Sequence, residues 1–156
     1  GVLTAGEIIY GDSGEQFKVF NVKDGLGIRM LKAADIRVGI VTGRGGSALR
    51  HRCANLGIDL VFEGVRDKAQ SLAQATEHTG IAAEATAFIG DDLLDLSIMK
   101  RVGLAVAVAD AHAMVRAIAH LTTQAPGGRG AVREVCEAIL KAQGRWDAIL
   151  QKLFNG

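Results

Sequence analysis

The sequence predicts a Rossmann-like α/β domain: a parallel sheet sandwiched by helices, with a β-hairpin at its N-terminal end. Three observations carry this expectation. Short apolar runs rich in Val, Ile and Leu alternate with stretches of helical length, the pattern of a parallel sheet with right-handed crossovers. Of 156 residues, 20 are Gly and 1 is Pro, a balance that suits many tight strand-to-helix turns. Two apolar runs end in polar side chains, Thr42 after one and Asp91-Asp92 after another, and open α/β sheets bind ligands at the carboxyl ends of their strands. The length fits one domain spanning residues 1–156, long enough to bury a full core.

Taken in order, Glu7 to Tyr10 and Gln16 to Val22 are β-like runs around Gly11-Asp12-Ser13-Gly14, a hairpin signal. Asp24 is expected to cap a helix from about Gly25 to Ala34. Ile36–Val41 reads as a strand ending in Thr42-Gly43-Arg44-Gly45-Gly46, followed by a helix over Ser47–Leu56 stopped by Gly57. Leu60–Phe62 is a short strand and Asp67–His78 a helix. Thr86–Ile89 is the next strand, with Gly90 allowing a sharp turn into Asp91-Asp92 and a helix to about Arg101. Leu104–Val108 is a strand, Ala111–Ala119 a helix and Leu121–Thr123 a last short strand. Ala125–Gly130 reads as a flexible arm leading into a helix over Ala131–Ala142. Beyond Gly144, Trp146, Ile149, Leu150, Leu153 and Phe154 recur at helical spacing, as in a tail helix packed on its own domain or on a neighbouring subunit.

Composition excludes several functions. Net charge is +1, acidic and basic residues are interspersed and aromatics make up 4%, so no nucleic-acid surface is expected. Cys53 and Cys136 are far apart and no Cys-x-x-Cys occurs, which argues against a redox pair or a zinc site. The four histidines lack metal-ligand spacing. No apolar run approaches the roughly 20 residues of a membrane span, and no signal peptide is visible. A cytoplasmic setting without membrane contact is the expectation.

The chemistry is concentrated at three strand ends. Asp91 and Asp92 repel each other unless a cation or a basic side chain neutralises them, which suggests a hard-metal site for Mg²⁺ with oxygen ligands; on the dipeptide alone, a cap on the following helix is the plainer reading. Thr42 and the N–H groups of Gly43–Gly46 precede a helix N-terminus and can cradle phosphate, although loop chemistry alone accounts for such a run. Lys68 can neutralise a phosphoryl oxygen, or be a surface charge.

In chain order these are Thr, Lys, then Asp-Asp, the motif order of phosphoryl-transfer domains in the haloacid dehalogenase superfamily. Asn21-Val22-Lys23-Asp24-Gly25-Leu26-Gly27-Ile28, Val41-Thr42-Gly43-Arg44, Ile89-Gly90-Asp91-Asp92, Val106 to His112 and Gly127 to Glu134 together resemble the 3-deoxy-D-manno-octulosonate 8-phosphate phosphatases, from Gly1 to about Gly144. The resemblance implies a capless, haloacid dehalogenase-like, Mg²⁺-dependent phosphatase of lipopolysaccharide precursor synthesis. It places the metal on Asp91 and catalytic work on Thr42, Lys68 and Asp92, with Asp92 and Asp95 orienting Lys68 and metal-bound water. It puts contacts to a phosphorylated sugar acid on Asn21, Val22, Lys23, Asp24, Gly25, Arg29, Arg44, Arg52 and Lys68. Arginine forks suit a substrate carboxylate; a solvated helix face is the plainer role for each arginine. The resemblance also implies a homotetramer assembled through the Glu7–Val22 hairpin, with neighbouring chains closing each site and the Gly127–Gly130 arm near one of them.

Two departures stand out. The family's Asp-x-Asp, which supplies the nucleophile and the general acid/base, lies immediately before the position matching Gly1, so the sequence is expected to be N-terminally incomplete and to lack its first strand. Ala5 replaces a usual Asp. A phosphatase for a nine-carbon sialic-acid-type sugar phosphate stays open, as does a non-catalytic oligomerisation domain like the C-terminal module of CMP-sialate synthases. A receiver domain is set aside, because there the acidic pair comes first and Lys last.

Overall fold

The computed structural model of the protein describes residues 1–14 and 16–154. The hairpin pairs β1 (Ile9–Tyr10) with β2 (Gln16–Phe17) antiparallel. Its ladder is shorter than the sequence predicts, and Glu15 of its loop lies outside the described residues. The chain then enters α1 (Val22–Ala33). Asn21, not Asp24, caps this helix: its side chain accepts the Lys23 N–H at 2.8 Å, so the helix starts three residues earlier than expected.

Next come β3 (Gly39–Val41), α2 (Ser47–Leu56), β4 (Leu60–Phe62) and α3 (Lys68–Thr79). Asp67 caps α3 by accepting the Ala69 N–H at 3.0 Å. β5 (Ala87–Gly90) leads through a single 3-10 turn, Leu93–Asp95, into the short α4 (Leu96–Met99), which ends two residues before the expected Arg101. β6 (Leu104–Ala107), α5 (Ala113–Ile118) and β7 (Leu121–Thr122) follow, then α6 (Ala131–Ala142) and α7 (Trp146–Phe154). α5 begins at Ala113 because His112 Nδ1 caps it, accepting the Met114 N–H at 3.2 Å.

The described strands form two parallel ladders, β3–β4 and β5–β6–β7, beside the hairpin. Helices cover both faces. One core gathers Ile28, Met30, Leu49, Cys53 and Leu140 from α1, α2 and α6; the other gathers Leu72, Ile98, Met99 and Val115 from α3, α4 and α5. β6 is buried throughout Ala105–Ala107, as a strand packed on both faces must be. β3 and β5 are each paired on one side only. Between them lies a cleft of about 760 Å³ walled by Ile40, Phe88 and Ile89 and floored by Ile28, Leu72 and Val135.

The Ala125–Gly130 segment is not a flexible arm. Glu134 accepts the N–H groups of Gln124 and Ala125 at 2.9 and 3.1 Å, and the Asp110 carboxylate accepts that of Gly127 at 2.8 Å. The segment is stitched to its own chain by charge-assisted bonds.

Candidate active site

Parallel strands bring their carboxyl ends to one side of a sheet, and here Thr42, Arg44, Lys68, Asp91 and Asp95 all line the mouth of the cleft between β3 and β5. Asp95 is the hub. Its Oδ1 takes a hydrogen bond from Lys68 Nζ, and its Oδ2 accepts the N–H groups of Asp91 and Asp92 at 2.9 and 3.3 Å. The Lys68 side chain is 15% exposed and that of Asp95 2%, so the ammonium is held with little water around it, 5.9 Å from the Phe88 ring centroid. One buried carboxylate thus aims the lysine and shapes the turn that carries Asp91.

Gly90 is required for a different reason from the sharp turn expected of it. It closes β5 in extended backbone, and a Cβ there would lie 2.7 Å from Met99 Sδ and 2.8 Å from Asp95 Cβ. Glycine leaves the room in which Asp95 packs against the strand.

The acidic pair divides its work. Asp92 Oδ1 accepts the Leu93 N–H at 2.7 Å and Asp95 reciprocates on the Asp92 N–H, so Asp92 is a cap, and the placing of Lys68 falls to Asp95 alone of the two. Asp91 makes no such bond. Its Oδ2 lies 2.7 Å from Gly1 N, and it borders both the cleft and a second pocket of about 350 Å³ shared with Asp92, Asp110 and His112. Among the described residues no three His, Cys, Asp or Glu side chains converge as a ready cation cage. The donor set nevertheless fits Mg²⁺, which is commonly held by one or two carboxylates together with waters and substrate phosphate oxygens.

Thr42 follows β3, its Oγ1 accepting the Arg44 N–H at 3.0 Å, which folds the Thr-Gly-Arg corner. The expected amide cradle is reduced at one position: the Gly46 N–H donates to Glu63 Oε1 at 3.2 Å, and Glu63 also pairs with Arg50 at 3.0 Å. A protein carboxylate therefore sits on the α2 N-terminus, a favourable place for negative charge.

The remaining sugar-contact candidates gather elsewhere. Asn21, Val22, Lys23, Asp24, Gly25, Arg29 and Arg52 line neither cavity; Asn21, Gly25, Arg29 and Arg52 meet where α1 passes α2, Val22 and Lys23 are exposed at the start of α1, and Asp24 faces α6. Arg29 donates to the Asn55 carbonyl at 3.3 Å. Arg52 donates to the Asn21 carbonyl at 3.1 Å, lies over Phe20 at 5.7 Å and packs against Gly25, where any side chain would overlap its guanidinium. Asp24 is 1% exposed and accepts the N–H groups of Gly130 and Arg133 at 3.3 and 2.9 Å. It tethers α1 to the start of α6 and does not face an open surface.

Asp110 and His112 were not expected at the site. Their signal was positional: they follow β6 as Asp91 follows β5. Neither thiol suits nucleophilic work: burial, then the nearby Asp24 charge, pushes Cys136 up to about 12, and burial also raises Cys53.

Residues 58–134 match the family described as haloacid dehalogenase-like hydrolase. The chain is 48% identical over 147 residues to the 3-deoxy-D-manno-octulosonate 8-phosphate phosphatase KdsC of Escherichia coli K12, covering 94% of this chain and 78% of that one. Among solved structures, the phosphatase of that name from Moraxella catarrhalis, in complex with magnesium, phosphate and KDO, is 41% identical. It superposes with a TM-score of 0.94 over 97% of this chain and 87% of that one. The cobalt-bound deoxy-D-mannose-octulosonate 8-phosphate phosphatase of Haemophilus influenzae is 43% identical, with a TM-score of 0.92 over 95% and 86%.

Proposed function

This chain belongs to the 3-deoxy-D-manno-octulosonate 8-phosphate phosphatases, within the haloacid dehalogenase-like hydrolases, and from that premise we propose that it is a Mg²⁺-dependent phosphatase. Its substrate is 3-deoxy-D-manno-octulosonate 8-phosphate and its products are the free sugar acid and phosphate, a step of lipopolysaccharide precursor synthesis. The observation that carries this is the meeting of Thr42, Lys68 and Asp91 at one cleft mouth in a chain 48% identical to such an enzyme. That likeness favours the eight-carbon acid over a nine-carbon one.

Each residue has a physical task. Asp91 holds the divalent cation, which when bound neutralises charge on the phosphoryl group. Lys68, aimed by Asp95, neutralises a second phosphoryl oxygen, and the Thr42 hydroxyl, which donates to the Arg44 carbonyl at 3.0 Å, turns to donate to a third when phosphate is bound. Asp92 keeps the Asp91 turn in shape.

The nucleophilic Asp and the acid/base Asp two residues after it belong, in this reading, to a strand lying parallel between β3 and β5. Two features support it. Both strands present an unpaired edge to that apolar cleft, and unpaired buried backbone is costly. Gly1 stands beside Asp91, so a strand running into Gly1 delivers its last side chains to the metal site. This makes residues 1–156 part of one phosphatase domain.

We further propose a homo-oligomer, a tetramer, built on the hairpin. Ile9, Tyr10, Phe17, Val19 and Val22 are exposed, Val19 at 74% and Val22 at 81%, a cluster that usually marks an interface. In such an assembly the α1–α2 seam with Lys23, Arg29 and Arg52 serves the sugar acid in a neighbouring site, while Arg44 serves its own. No described helix is long and apolar enough to cross a membrane, and a cytoplasmic location fits the two free cysteines.

The test is phosphate release from the sugar-acid phosphate by the full-length protein, with and without Mg²⁺. Turnover should need Mg²⁺ and vanish in Asp91→Asn while the variant stays folded. Undiminished turnover in that variant would remove Asp91 from the metal role.

A further inference from the structure

We propose that Asp110 and the Gly127-Gly128 pair are positioning residues for this reaction, clamping the Gly1–Gly6 segment against Asp91. The inference rests on the phosphatase reading above and adds a part of the machinery that does not touch substrate.

The contacts form a closed circuit. The Asp110 carboxylate accepts the Gly127 N–H at 2.8 Å. Gly128 donates its N–H to the Val2 carbonyl at 2.8 Å. A Cβ on Gly127 would overlap the carbonyl oxygen of Gly1, and one on Gly128 would overlap the backbone of Thr4 and Ala5. Gly128 also has φ +69°, a conformation other residues adopt only with strain. Two glycines in a row therefore let one main chain lie directly on another. The far end is fixed independently, because buried Asp24 accepts from Gly130 and Arg133.

What the circuit holds is the segment beside the metal carboxylate. Gly1 N is 2.7 Å from Asp91 Oδ2, and Gly1, Ala5 and Gly6 form one wall of the pocket whose other wall is Asp91, Asp92, Asp110 and His112. The opposite wall is tied to Asp91 as well, since the His112 N–H donates to the Asp91 carbonyl at 2.8 Å. Asp110 thus links the loop after β6, the diglycine and the Gly1–Gly6 segment. Any strand feeding into Gly1 inherits that placement. Displacing reacting groups by about 1 Å costs on the order of a hundredfold in rate.

Three variants separate positioning from mere folding. Asp110→Ala removes the acceptor for Gly127, Asp110→Asn keeps an oxygen in its place, and Gly127→Ala drives a methyl group into Gly1. Each is assayed with the sugar-acid phosphate and with p-nitrophenyl phosphate, alongside its melting temperature, its stabilisation by Mg²⁺ and amide exchange across residues 1–6. Asp110→Ala and Gly127→Ala should lower kcat on both esters by about a hundredfold, with KM for the sugar-acid phosphate nearly unchanged. Mg²⁺ should stabilise them less, and exchange should rise in residues 1–6 ahead of the core. Asp110→Asn should restore most of the rate. Wild-type turnover in both disruptive variants overturns the proposal. So does a loss that only tracks global unfolding, with residues 1–6 exchanging no faster than the rest. A wild-type protein that hydrolyses neither ester overturns the phosphatase reading instead, and the exchange measurement then still decides whether the clamp exists.

Discussion

Replacing Asp95 by Asn tests the hub directly, because the side chain keeps its shape and loses only its charge and one acceptor. In the native site Asp95 takes Lys68 on Oδ1 and two backbone N–H groups on Oδ2. The amide can satisfy one side, and its NH₂ must then face either an ammonium or two N–H donors. Breaking one partner of a buried ion pair costs about 3–5 kcal/mol. Lys68 is 15% exposed and recovers some hydration, so about 3 kcal/mol is the reasonable magnitude. For a domain of this size that lowers Tm by about 6–12 °C. Chemical denaturation and calorimetry measure it, with Asp92→Asn as the control: that residue caps an exposed turn and should cost less than about 1 kcal/mol. Lys68→Met combined with Asp95→Asn should recover part of the loss, since no uncompensated charge then remains. Turnover should fall steeply in Asp95→Asn even well below its Tm. A variant within about 0.5 kcal/mol of wild type, with normal turnover, would refute the view that Asp95 holds Lys68 and the Asp91 turn together.

Two further outcomes are expected. Glu137 bonds Lys141 at 2.9 Å and Arg133 at 2.7 Å along α6, and the Lys141 bond foremost, with the Arg133 bond, holds its carboxyl below the usual 4.5. Its stabilisation is present above that value and lost as pH falls through the depressed pKa. Glu137→Gln should therefore lower Tm at pH 7 by an amount worth about 0.5–1 kcal/mol, discounted for exposure, and the gap should close at acid pH; an equal gap at both pH values would contradict it. For the assembly, Val19→Asp and Phe17→Asp should reduce the molar mass seen by light scattering from that of an oligomer to that of one chain, and an unchanged mass would move the interface off the hairpin.

Much of the fold was legible because it rests on local pattern. β3, β4 and β6 lie within their predicted runs, β5 runs one residue past its own to Gly90, and α2 matches residue for residue, since apolar spacing and a terminal glycine act over a few positions. Departures from that pattern lie where a residue beyond the local run intervenes. Asp24 has the chemistry of a cap, but α6 claims its carboxylate 106 and 109 residues away, leaving Asn21 to start α1. Gly90 stands where a turn glycine would, yet it is there because Asp95 and Met99 press on the strand. The Pro-Gly-Gly-Arg-Gly run has the composition of a loose arm, and two carboxylates from elsewhere in the chain, Asp110 and Asp24, bind it down.

The order of the elements, the residues placed at the strand ends and the resemblance that pointed to a phosphatase were all readable from the amino-acid sequence. These follow from local stereochemistry and from residue type. That Asp91 faces the pocket while Asp92 caps, that Asp95 aims Lys68, and that Asp110 meets Gly127 emerged with the folded chain. A carboxylate accepts equally well from a metal, a lysine or a backbone N–H, and the partner it takes depends on what the rest of the chain brings within hydrogen-bonding reach.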